Sequence, residues 1–111
     1  MKATQQIQID EGLLQEVVER VLKIAQPERL VLFGSRARGE ASPNSDLDLL
    51  VVQESSEPRY RRSVPYYTAL ADLPVEVEVV VYTPDEVKAW QEVAQAFVTT
   101  AIREGRVLYE R

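Results

Sequence analysis

The spacing of apolar residues changes several times along the chain, and each change marks an element. Leu13, Leu14, Val17, Val18, Val21, Leu22 and Ala25 recur at helical spacing, which predicts an amphipathic helix with a face wide enough to pack on a sheet. Asp10 is placed to cap its start, Glu11 suits its first turn, and Pro27 ends it. The preceding Met1 to Asp10 is polar, either frayed or a short strand around Ile7 and Ile9. Leu30 to Phe33 is a short apolar run that stops at Gly34, as a buried strand does. Gly34 and Ser35 turn the chain, Arg36 and Arg38 follow, and Gly39 makes a second break. A short helix or loop then leads past Ser42, Pro43 and Asn44 to a second strand, Asp46 to Val52. Side chains alternate faces along a strand, so Asp46 and Asp48 share one face while Leu47 and Leu49 take the other.

The second half is read the same way. Gln53 to Tyr67 is polar and contains two prolines, so it predicts a loop running into a helix over Val64 to Ala71. Its arginines, Arg59, Arg61 and Arg62, are expected to meet a triphosphate, a partner protein or solvent. Leu73-Pro74 breaks that helix. Val75 to Tyr82 predicts a strand with Val75, Val77, Val79 and Val81 on one face and Glu76 and Glu78 on the other. Thr83-Pro84-Asp85-Glu86 predicts a helix start, with Thr83 as N-cap, Pro84 at the first position and Glu86 completing a capping box. The helical region continues to about Arg103, broken near Phe97. Gly105 is the expected stop, and Arg106 to Tyr109 a short closing strand. Trp90, Phe97 and Tyr109 are expected to pack in the core or an interface. Alternating helices and strands imply an α/β fold with a small central sheet, and the length suits one domain spanning 1–111.

Charge and composition narrow the chemistry. Thirteen basic residues against eighteen acidic ones leave a net charge of -5, which argues against broad nucleic-acid binding but not against holding one nucleotide. The chain has no histidine and no cysteine, so imidazole bases, thiolate nucleophiles, disulfides and Cys/His zinc sites are excluded. Ser35 therefore lacks a histidine base and is not read as an acyl nucleophile. No apolar leader or membrane-length run is evident, and a cytoplasmic address is expected.

What remains is a glycine turn, arginines and a same-face carboxylate pair, all within Leu30 to Val52. A glycine turn offers backbone N–H groups to phosphate. Arginine offers a fork of donors to phosphate oxygens. Two adjacent carboxylates repel one another unless a cation or proton lies between them, and Mg²⁺ takes oxygen ligands that it often shares with substrate phosphates. Together these features describe a nucleoside triphosphate site, with Gly34, Ser35 and Arg36 on the phosphates and Asp46 and Asp48 on the metal.

Gly34-Ser35, ten intervening residues and Asp46-Leu47-Asp48 resemble the signature of the DNA polymerase beta nucleotidyltransferase superfamily. The run GSRARGEASPNSDLDLLVV is similar to its minimal nucleotidyltransferase branch, many of whose members pair with HEPN-domain proteins in toxin–antitoxin systems. The resemblance extends from about Gln15 to Tyr109. It implies a polymerase-beta palm-like core with a mixed sheet flanked by helices. It also implies ATP as donor, Mg²⁺ as cofactor in a two-metal site, and a tyrosine of a HEPN toxin as acceptor. A third metal-site acid from a later strand is implied too, and Glu78 is the matching position, with Glu76 as the same-face alternative. Glu78 would help activate the acceptor hydroxyl as general base. The family commonly has Asp there. One extra methylene moves the carboxylate by about 1.5 Å, and errors near 1 Å can cost on the order of a hundredfold in rate. A contact-only antitoxin module and an aminoglycoside-type small-molecule transferase stay open as alternatives, the latter needing a partner or second subunit to supply its acceptor pocket. Oligomeric state stays open as well.

Overall fold

The computed structural model describes residues 11–34, 36, 37, 39 and 46–111. The amphipathic run becomes α1 (Glu11–Ile24), which buries Leu14, Val17 and Val21 and carries Glu11 in its first turn. Asp10, read as its cap, lies outside the described residues, as does the segment before it. Two strands follow, β1 (Arg29–Phe33) and β2 (Leu47–Val52). Then come the helices α2 (Arg59–Arg62) and α3 (Val64–Leu70), strand β3 (Val77–Tyr82), helices α4 (Pro84–Trp90) and α5 (Phe97–Glu104), and strand β4 (Arg106–Glu110).

The strands form one mixed sheet in the order β3-β2-β1-β4. β1 is antiparallel to both β2 and β4, while β2 and β3 run parallel. The central strand β2 is covered on both sides. Its Leu49 to Val52 therefore read as an uninterrupted apolar run rather than an alternating one, and all four are buried.

Each face of the sheet has its own core. On one, Leu30, Leu32, Leu47, Leu49, Val51, Val79 and Val81 pack against Leu14, Val17 and Val21 of α1 and Tyr66 and Leu70 of α3. On the other, Val31 and Leu50 pack against Val98 and Ala101 of α5, joined by Phe33, Val80, Tyr82, Val87 and Ile102. Alternation along the strands decides which residues go where, and it assigns Asp48 and Glu78 to the α5 side.

Two sequence expectations are revised. β3 begins at Val77 rather than Val75, because pairing with β2 opens at Leu47, whose N–H bonds the Glu76 carbonyl at 2.9 Å. The loop after Glu57 contains the helical turn α2, started by the fixed backbone of Pro58, whose carbonyl accepts from the Arg61 N–H at 2.9 Å. Gly105 ends α5 as expected, but at φ −85°, so it is not there for a left-handed conformation. A Cβ on it would press on the Ala101 carbonyl and come within 2.6 Å of a Val31 methyl and 2.7 Å of the Leu32 carbonyl. The residue has to be small because the chain passes so close to β1.

The capping box forms as expected, with Glu86 N–H donating to Thr83 Oγ1 at 3.2 Å and Thr83 N–H donating to Glu86 Oε1 at 2.9 Å. Among the described residues, no helix is long and apolar enough to cross a membrane.

Candidate active site

β1 delivers its last residue beside the start of β2. Phe33 is in register with Asp48, so the following residue, Gly34, turns away directly over the Asp48 carboxylate. Gly34 has φ +79°. A Cβ built on it would collide with Asp48 Oδ2 and lie 3.3 Å from Cγ. Two separate constraints therefore demand glycine here: the backbone angle and the space taken by the carboxylate. The turn is held by Ala37 N–H donating to the Gly34 carbonyl at 3.1 Å and Gly39 N–H donating to that of Arg36 at 3.3 Å. Gly39 also has positive φ, +73°, and open space around it.

Asp46 lies one residue before β2 and is exposed, whereas Asp48 is half-buried within it. Across the parallel pair, the residue opposite Asp48 is Glu78, itself exposed. Glu76, the alternative acid, is exposed one residue before β3 begins. The acids are close enough to act on one another. Burial first, then the charges of Glu78 and Asp46, push the Asp48 carboxyl above its ordinary range, while the Arg36 guanidinium pulls it back. One end of the sheet thus gathers Gly34, Arg36, Asp46, Asp48 and Glu78. Ser35 and Arg38 lie outside the described residues. Among the described residues, no three acidic side chains converge tightly enough to form a ready-made cation cage.

The arginines of the α2 region go elsewhere. Arg62 is only 10% exposed and forms a fork on Glu86, at 2.7 and 3.3 Å. It also donates to the carbonyls of Glu57 at 2.8 Å and Val81 at 3.3 Å. It is a clamp between α2, β3 and α4 and neither a solvated loop residue nor a phosphate ligand. Arg59 lies over the Tyr82 ring, 4.4 Å from its centroid. Arg61 lines a hollow with Gln53, Glu57 and Tyr66 at the opposite end of β2 from Asp48.

A cleft of about 170 Å³ opens beside Gly34, lined by Phe33, Phe97, Thr100, Ala101 and Glu104. Sequence reading assigned no function to Phe97, which is 48% exposed and meets Phe33 edge-on at 5.3 Å. Phe97, Thr100, Ala101 and Glu104 follow the i, i+3, i+4, i+7 spacing of a single helix face. That spacing is visible in the sequence. Its position against Gly34 is not.

The fold recurs in solved structures. A candidate nucleotidyltransferase from Sulfolobus solfataricus superposes with a TM-score of 0.64 at 22% identity, over 90% of this chain and 79% of that one. A toxin–antitoxin structure with AMP-PNP gives 0.63 at 18% identity, over 88% and 73% respectively. A mutant of the toxin–antitoxin pair MntA–HpeT gives 0.58 at 17%, with the same coverage. No curated protein matches the chain. The profile of the nucleotidyltransferase domain matches residues 13–108, which include the glycine turn, the paired aspartates and Glu78, and the chain belongs to that family.

Proposed function

We propose that this chain transfers AMP from ATP to a tyrosine hydroxyl of a HEPN-domain toxin and thereby acts as its antitoxin. One observation carries the reading: the turn at Gly34 and Arg36 lies at the same sheet end as Asp46, Asp48 and Glu78, with Asp48 destabilised as an anion by burial and then by its acidic neighbours. An oxygen-only donor set with surplus negative charge suits Mg²⁺, which Asp46, Asp48 and Glu78 would hold. Bound there, the ion supplies charge neutralisation and polarisation of phosphate oxygens.

The chain's own groups do the rest. Backbone N–H groups of the turn that opens at Gly34 meet the phosphates, with Ser35 assigned to them from the sequence alone, and the Arg36 guanidinium pairs with their oxygens. Glu78 accepts the proton of the tyrosine hydroxyl. The phenolic oxygen bonds to the α-phosphorus, the bond from that phosphorus to the α–β bridging oxygen breaks, and pyrophosphate leaves. The products are a tyrosyl-AMP phosphodiester and pyrophosphate. The toxin–antitoxin structures of the same fold, one of them with AMP-PNP, support the choice of partner and donor.

A second reading has its own observation. Glu78 is exposed, and among the described residues no tight three-acid group is assembled. A nucleotide-binding module that silences its partner by contact alone is consistent with that.

The test is transfer of label from α-labelled ATP and Mg²⁺ to the co-purified partner, with Asp46→Asn/Asp48→Asn as control. Label on the partner that vanishes in the double variant is the expected result. A stable complex that binds ATP yet never acquires label would sink the transferase and leave the contact module.

A further inference from the structure

The cleft beside Gly34 is not explained by phosphate or metal binding. Its walls are aromatic and aliphatic, from Phe33, Phe97 and Ala101, with Thr100 and Glu104 the polar side chains among its lining residues. At about 170 Å³ it is well below the volume of a pocket for a whole drug-sized molecule, so its occupant is one flat part of a larger ligand. Gly34 lines it, and Gly34 is also the residue at which the phosphate turn begins.

We infer that this cleft is the pocket for the donor's nucleobase, that Phe97 stacks on the base, and that Glu104 selects for its exocyclic amine. The assignment rests on the triphosphate site proposed above. Strand order supports the donor rather than the acceptor as occupant. In β3-β2-β1-β4, Glu78 lies on one side of Asp48, and the end of β1 with its cleft lies on the other. The acceptor hydroxyl belongs with Glu78 and the donor with Gly34.

Phe97 leaves half its surface open, although its ring is already fixed by Phe33 edge-on and by Tyr82 at 6.3 Å. A ring held in this way can stack on a base without first being ordered. The Thr100 hydroxyl donates to the Ala94 carbonyl at 3.3 Å, which leaves its oxygen to accept. Glu104 is half-exposed, and its charged contact is an Arg103 fork nitrogen at 3.3 Å. A carboxylate accepts from an amine and repels a carbonyl oxygen, so it favours adenine over hypoxanthine.

Binding of ATP, ITP and inorganic tripolyphosphate, each with Mg²⁺, is measured on the full chain and on Phe97→Leu and Glu104→Gln. Leucine keeps the apolar volume against Phe33, and thermal melting checks that each variant folds. Phe97→Leu should weaken ATP roughly tenfold and leave tripolyphosphate unchanged. Glu104→Gln should narrow the preference for ATP over ITP, because the amide can donate to the hypoxanthine oxygen. Unchanged ATP affinity in Phe97→Leu overturns the inference, as does an equal loss for tripolyphosphate. So does a defect in labelling of the acceptor with ATP affinity intact, which would give the cleft to the acceptor. If the parent chain binds neither ATP nor tripolyphosphate, the phosphate site fails and the base pocket goes with it.

Discussion

At the scale of single residues, the site holds at least one group, the Asp48 carboxylate, that the fold would be more stable without. Asp48 is held as an anion against its burial and against the charges of Glu78 and Asp46. Its folded pKa is raised, so the stability that the protonated form retains is lost as the pH rises through that pKa. Asp48→Asn is therefore expected to raise the thermal midpoint while abolishing transfer, measured by calorimetry and label transfer on one preparation. A lower midpoint would contradict the electrostatic account. Gly34→Ala should lower stability instead, and it too should lose activity. It forces a side chain into left-handed backbone, a cost of about 1–2 kcal/mol, and drives a methyl into the Asp48 carboxylate. Displacement of that group by about 1 Å predicts a loss near a hundredfold in kcat/KM, against only a modest fall in stability. Both positions were legible in the sequence because their signal is local: strand, glycine, same-face acids. Glu78 needed the strand register, and the resemblance supplied it. Arg62 was illegible, since Glu86 and Val81, which give it its role, come from later elements.

At the scale of elements, β3 is an edge strand whose outward backbone groups are covered by side chains. Val79 N–H donates to the Tyr67 hydroxyl at 2.9 Å, and Arg62 donates to the Val81 carbonyl at 3.3 Å. An uncovered edge is a template for pairing with another chain. Tyr67→Phe removes the acceptor from Val79 N–H and should promote concentration-dependent self-association, read by light scattering. A variant as monodisperse as the parent would refute the guarding role. The start of α4 depends on Glu86, which caps Thr83 and receives Arg62 at once. The Arg62 fork and the Thr83 N–H hold its carboxyl below the usual range, against a smaller opposing effect of burial. Its contribution is therefore present at neutral pH and is lost as the pH falls through that lowered pKa. Glu86→Gln should flatten the acid limb of the stability profile, and an unaltered limb would contradict the assignment. The capping box was plain in Thr83-Pro84-Asp85-Glu86 because capping is local. The guarded edge was not, because it depends on which strand lies outermost.

At the scale of the whole molecule, the sheet separates support from function. One face rests on α1 and α3, and the other carries Asp48, Glu78 and the cleft beneath α5. Apolar spacing showed which residues turn inward, but strand order is set by pairing between distant segments, and so the sequence could not say which helices would cover the site. The division has a measurable consequence. Val17 in α1 is fully buried and Val98 in α5 is 2% exposed, so alanine at either should cost about 2 kcal/mol through lost apolar contact and a residual cavity. Val17→Ala leaves a void on the supporting face, separated from the carboxylates by the sheet. Val98→Ala leaves one under the helix that walls the cleft, where α5 can settle toward β1 and shift Phe97 and Glu104. Equal losses of stability should therefore come with unequal kinetics. Val17→Ala is expected to keep the parent KM for ATP, and Val98→Ala to raise it. Parallel shifts in both variants would mean that strain passes through the sheet, and the two faces could not then be treated as independent.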